Sequence, residues 1–177
     1  MNTSLGVVPS ALAHPSGCRL VIRRENSLAE ILQFVAAGLE IGQQVVALAG
    51  PKCLKELASG LSAKGLRPES LLSNGRLVFL TAPGCLSQLT KPGDPMRRGP
   101  LHRNASLIRW VSDWSWAYGN GADPAMILDY QKRTHHFIRS LTALSLCTAQ
   151  CEKLGRTSLL AMLADHRRAT RSILGSA

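Results

Sequence analysis

A short apolar run, Gln43 to Ala49, ends in Ala49-Gly50-Pro51-Lys52-Cys53-Leu54, where nucleotide chemistry would need a loop of the form G-x-x-x-x-G-K-[ST]. Such a loop curls several backbone N–H groups around phosphate and sets a hydroxyl on Mg²⁺. Here Pro51 removes a donor, the second glycine is missing, and Leu54 is no magnesium ligand. Gly50, Pro51 and Lys52 are therefore read as a degenerate phosphate-loop position, and an atypical ATPase ranks third among the functional readings.

Metal chemistry is the next possibility to weigh. The pair Cys147-x-x-x-Cys151 lacks an accompanying C-x-x-C or H-x-x-x-H, and zinc sites usually announce themselves by such short spacings. The cysteines are expected to be buried structural thiols, with no metal and no cofactor assigned. Adjacent helical positions point about 100° apart, so His135 and His136, flanked by Lys132, Arg133 and Arg139, are expected on a solvated basic face. A Ser–His–Asp arrangement has no G-x-S-x-G elbow to support it. No catalytic residue is assigned.

The most unusual stretch is Arg109-Trp110-Val111-Ser112-Asp113-Trp114-Ser115-Trp116-Ala117, which holds all three tryptophans. In continuous extended conformation Trp110, Trp114 and Trp116 would share one face and Arg109 and Asp113 the other. Indoles bury large areas and serve cores and interfaces, but this cluster ends an expected central strand, where α/β folds gather ligands.

The elements that must position these residues are legible from periodicity. Cys18 to Arg23 reads as a strand; Asn26 or Ser27, with Glu30, then caps a helix whose stripe is Leu28, Ile31, Leu32, Val35, Ala36 and Leu39, closed by Gly42. Gln43 to Ala49 suits a strand buried on both faces. Pro51 opens a helix running to Gly65, a short helical piece covers Glu69 to Leu72, and Asn74-Gly75 turns into the strand Arg76 to Thr81. Pro83 to Asn104, rich in proline and glycine, reads as a surface loop. Ser106 to Ser112 is a fourth strand. Asp123 and Pro124 start a helix with Ile127, Tyr130, Thr134, Phe137 and Ile138 inward, and Leu141 to Thr148 is a fifth strand. Thr157 or Ser158 caps a last helix carrying Leu159, Leu160 and Leu163, with fraying expected from His166 onward. Strands alternating with helices predict an α/β fold: a mainly parallel, five-stranded or slightly larger sheet with helices on both faces.

With these elements in place the chain resembles the MEDS family, the methanogen/methylotroph sensory domain, a relative of the RecA/KaiC-like ATPases thought to have lost nucleotide hydrolysis. The likeness spans roughly residues 18 to 166. It rests on Ala37-Gly38-Leu39-Glu40 with Gly42, Asn74-Gly75-Arg76-Leu77, Arg109 through Asp113 to Ser115-Trp116-Ala117, Leu128 and Tyr130, Cys147, and His166. The chain departs from the family at Gln131, where an acidic residue is usual, and at Ala149-Gln150, in place of tyrosine-aspartate. The resemblance implies a RecA/KaiC-like three-layer sandwich that detects small molecules, with hydrocarbon derivatives proposed, and signals to a fused or separate regulator. Asp113, Trp116, Tyr130 and Cys147 carry over as a candidate ligand site, and Arg109 is added from the same strand.

Composition sets the outer bounds. A chain of 177 residues fits one domain that buries roughly two thirds of its unfolded surface. The expected division is a flexible leader over 1–17, one sensory-type domain over 18–166 and a basic tail over 167–177. No apolar run approaches the roughly 20 residues that cross a bilayer, and an odd cysteine count without a disulfide framework suits a reducing compartment, so a cytoplasmic, membrane-free location is expected. The formal charge of +10 creates a field that attracts polyanions. The basic residues are dispersed, so weak, nonspecific nucleic-acid binding is expected. The leading reading is a non-catalytic sensory or signalling domain binding a small-molecule ligand or a regulatory protein partner, with homo-oligomerisation left open. The alternative is a basic, nucleic-acid-associated transcriptional regulator.

Overall fold

Five strands build the sheet: β1 (Cys18–Arg23), β2 (Gln44–Ala49), β3 (Leu77–Thr81), β4 (Ile108–Asp113) and β5 (Ala143–Gln150). The structure, a computed structural model, describes residues 18–23, 28–81, 107–118, 123–139, 141–150, 152 and 155–174. All neighbouring strands run parallel, in the order β1-β5-β4-β2-β3. Every residue of β2 and β4 is buried, as expected of inner parallel strands covered on both faces.

The helices are α1 (Ala29–Glu40), α2 (Pro51–Ala63), α3 (Pro68–Ser73), α4 (Ser115–Tyr118), α5 (Pro124–Arg139) and α6 (Arg156–Leu174). On one face of the sheet Val45, Ala47, Val111 and Leu146 pack with Ile31, Val35 and Leu39 of α1 and Leu54, Leu57 and Leu61 of α2. On the other, Val46, Leu48, Trp110, Cys147 and Ala149 meet Tyr130 and Ile138 of α5 and Met162 of α6. The result is the expected three-layer α/β arrangement.

Local chemistry explains most boundaries. Gly42 closes α1 at φ 82°, and the next N–H, of Gln43, returns to the Gly38 carbonyl at 2.9 Å, a helix end that favours glycine. Asp123 caps α5, its carboxylate accepting from the Ala125 N–H at 2.9 Å. Asn26 and Ser27, the expected caps of α1, and the Pro83–Asn104 segment lie outside the described residues. The helix begins at Ala29 after Leu28, without a side-chain cap.

Several expectations are corrected. β5 runs two residues beyond Thr148 because its pairing with β1 continues through Ile22↔Ala149 and Arg23↔Gln150. Extended conformation stops at Asp113, since α4 turns at Ser115 and takes Trp116 out of the strand. Helix α6 starts at Arg156, placing Thr157 and Ser158 in its first turn, and continues to Leu174. His166 is thus buried inside a helix rather than opening a frayed tail. His135 is also buried, at 6% exposure, while Lys132, Arg133, His136 and Arg139 face solvent.

The chain leaves β2 toward β3 at one edge and leaves β4 toward β5 in the opposite direction. The carboxyl ends of β2 and β4 therefore flank a topological switch point, the crevice where parallel α/β sheets bind ligands.

Candidate functional site

At this crevice Gly50 is extended, at φ −67° and ψ 154°, and α2 begins at the next residue. No length of chain is left to wrap a phosphate. Trp116 is seated on the turn, so close that a Cβ on Gly50 would lie 3.0 Å from the Trp116 Cβ. Lys52 is exposed and stands 3.9 Å from Glu56 one helical turn on.

Asp113, at the end of β4, is buried, and its Oδ1 accepts hydrogen bonds from Ser115 Oγ at 2.8 Å and Thr148 Oγ1 at 2.9 Å. Ser115 Oγ in turn accepts from the Gln150 N–H at 3.0 Å. The carboxylate thus ties the start of α4, and with it Trp116, to the end of β5. Buried charge-assisted bonds of this kind are short and rigid.

Tyr130 and Cys147 lie with Trp114 in the core on the α5–α6 side of the sheet, and the half-buried Trp116 packs against that same group. The Trp114 and Tyr130 rings meet edge-on at 5.5 Å. Arg109 is separated from both groups. It sits near the start of β4 and is only 2% exposed, with Nε donating to Gln43 Oε1 at 2.7 Å and a terminal nitrogen to the Phe34 carbonyl at 2.9 Å. Its guanidinium also stacks 4.9 Å from the Phe34 ring centroid. These contacts make Arg109 a clamp on α1 rather than a neighbour of Asp113 and Trp116. Trp116 therefore links Asp113 at the sheet edge to the group around Trp114, while the arginine stands apart.

Sequence spacing missed a further constellation. Cys18 from β1, His135 from α5, Cys147 from β5 and His166 from α6 bring one donor atom each to within 4.8 Å of one another. Cys147 Sγ is 3.4 Å from Cys18 Sγ and 3.2 Å from His135 Nε2, and Cys18 Sγ is 4.0 Å from that nitrogen. His135 Nδ1 faces Asp165 Oδ2 at 2.7 Å, and His166 Nδ1 donates to the Met162 carbonyl at 2.8 Å. No short motif links these residues, which lie on four separate elements. The signal was the α5 stripe itself: Ile127, Tyr130, Gln131, Thr134, His135 and Ile138 all face inward.

Ionisation in this cluster is strongly perturbed. A hydrogen bond from Cys147 holds the Cys18 thiol well below its ordinary value against the opposing effect of burial, with His135 and His166 helping. The same bond, with burial, pushes Cys147 well above it, although the neighbouring Trp114 indole opposes the rise. Burial disfavours charged His135, but the Asp165 carboxylate and Cys18 outweigh it and raise the imidazole to about 9. The hydrogen bond to His135 lowers Asp165 in return.

The family profile described as MEDS, "MEthanogen/methylotroph, DcmR Sensory domain", matches residues 18–167. Among solved structures, the flagellar accessory protein FlaH from Methanocaldococcus jannaschii aligns with a TM-score of 0.56 at 14% identity, over 85% of this chain and 68% of that one. At such identity the likeness concerns the fold alone, which is RecA-like. No curated protein is matched by the sequence.

Proposed function

The chain belongs to the MEDS family of sensory domains, and from that premise we propose that it is a non-catalytic sensory and signalling module recognising a small molecule or a partner protein at the β2–β4 crevice. The observation that carries this reading is the seating of Trp116 on Gly50 at the switch point. Where a RecA-like ATPase needs amide donors and a hydroxyl for phosphate and magnesium, this chain offers a proline, an outward lysine and an indole. An indole face favours apolar or weakly polar ligands, in keeping with the hydrocarbon derivatives that the family resemblance implies.

The route for a signal is short. A ligand that shifts Trp116 shifts α4, and α4 is tied through Ser115 to Asp113, Thr148 and the Gln150 backbone. Displacement at the edge is thereby delivered to β5, which pairs with both β1 and β4. No helix among the described residues is long and apolar enough to cross a membrane.

The test combines tryptophan fluorescence and thermal melting of the full chain with a panel of short alcohols, amines and halogenated methanes, alongside Mg-ATP. At least one organic class is expected to give a saturable response that Trp116→Ala removes, with none from Mg-ATP. A saturable response to Mg-ATP that survives Trp116→Ala would overturn the reading.

A further inference from the structure

The second constellation lies on the α5–α6 side of the sheet and goes beyond the sensory reading. Its four donors come from β1, β5, α5 and α6, elements that already pack together. Around a tetrahedral zinc, with sulfur about 2.3 Å and nitrogen about 2.0–2.1 Å from the metal, donor atoms stand about 3.3–3.8 Å apart. The separations here, 3.2, 3.4 and 4.0 Å, bracket that range, and every pair falls within 4.8 Å. Only shifts of a few tenths of an ångström to about one ångström are needed to close the set on an ion.

The outer contacts match as well. A metal-binding histidine commonly gives its other ring nitrogen to a carboxylate or a backbone carbonyl, which fixes its tautomer and orientation. His135 faces Asp165 and His166 faces the Met162 carbonyl, each through Nδ1; the His135 Nε2 meets the sulfurs, and Nε2 is the nitrogen of His166 that would take the metal. Trp114, Tyr130 and Met162 line the surrounding apolar layer.

The principal competing use of two adjacent thiols is a disulfide, and strand register disfavours it. Cys147 is level with Leu20, and Cys18 with Ser145. A two-residue offset across neighbouring strands puts the Cα atoms roughly 8 Å apart, given about 4.8 Å between strands and about 3.3 Å per residue. Disulfides require about 4.4–6.8 Å. The sulfurs converge, but the backbones are spaced for an atom between them.

We propose that Cys18, His135, Cys147 and His166 form a tetrahedral binding site for zinc. Two soft thiolates with two imidazoles select that class of ion. With all four positions filled by protein, the site is structural: it staples β1 and β5 to α5 and α6 and activates no water.

The experiment uses the full chain. Zinc is measured in freshly purified protein, and metal-free protein kept reduced is titrated with Co²⁺ alone. One Co²⁺ per chain is expected, with thiolate charge-transfer absorption and the intense visible bands of tetrahedral cobalt, displaced by Zn²⁺. Cys147→Ser and His166→Ala should abolish these bands, while Cys53→Ser and the exposed-neighbour variant His136→Gln retain them. Asp165→Asn should weaken binding about 10–100-fold. Folded wild-type protein without cobalt bands would overturn the proposal, as would a spectrum unchanged in Cys147→Ser or a native Cys18–Cys147 disulfide. The wild-type titration decides the matter even if a variant fails to fold.

Discussion

Replacing Asp113 by alanine probes how the crevice is held. The side chain is only 3% exposed, and its Oδ1 accepts from two buried hydroxyls, those of Ser115 and Thr148. Hydrogen bonds to a charged group are each worth about 1.5–3 kcal/mol. Taking the lower end for each of the two bonds gives a loss of at least about 3 kcal/mol in all. For a chain of this size that corresponds to a fall in melting temperature of about 6–12 °C. Asp113→Asn keeps an oxygen at the accepting position and should cost only about 1 kcal/mol. The assay is calorimetric or circular-dichroism melting, with tryptophan emission followed to report release of α4. If Asp113→Ala melts within about 2 °C of the parent and its emission is unchanged, the carboxylate does not hold the edge and the route through Ser115 to β5 fails.

Other consequences follow from the same contacts. Gly38→Ala would place a Cβ 2.5 Å from the Cδ of Arg109, which is pinned by two hydrogen bonds; overpacking there should cost about 1–3 kcal/mol, readable by urea denaturation. A denaturation midpoint equal to the parent's would show that the arginine clamp yields freely. Binding to duplex DNA should be weak and fall steeply with salt, because dispersed basic residues supply phosphate contacts without base readout. Fluorescence anisotropy on two unrelated sequences would expose any selectivity at physiological salt, which would favour a nucleic-acid regulator instead.

Much of the fold could be read from the sequence because the dominant signals were local. The unbroken apolar run of β2, the Asp123-Pro124 start of α5 and the Asn74-Gly75 turn each carry their own physical instruction. The degenerate turn at Gly50–Lys52 was equally visible, since it is defined by which residues are missing. What escaped was non-local. Nothing in the spacing of Cys18, His135, Cys147 and His166 states that four elements will bring them together. His135 was assigned outward because its neighbours are basic, although it lies eight residues after Ile127 and four after Gln131, on the inward stripe. Arg109 misled in the opposite way: its place on the strand of Asp113 suggested a ligand contact, whereas Gly38 leaves room for it to be buried against α1.

The proposed function puts recognition in place of nucleotide handling at this RecA-like sheet edge. The most direct measurement is steady-state phosphate release from Mg-ATP by the purified full chain, paired with nucleotide titration followed by tryptophan emission. No turnover above background and no saturable change in emission are expected, with Lys52→Ala indistinguishable from the parent. Steady turnover that disappears in Lys52→Ala would contradict the proposed function.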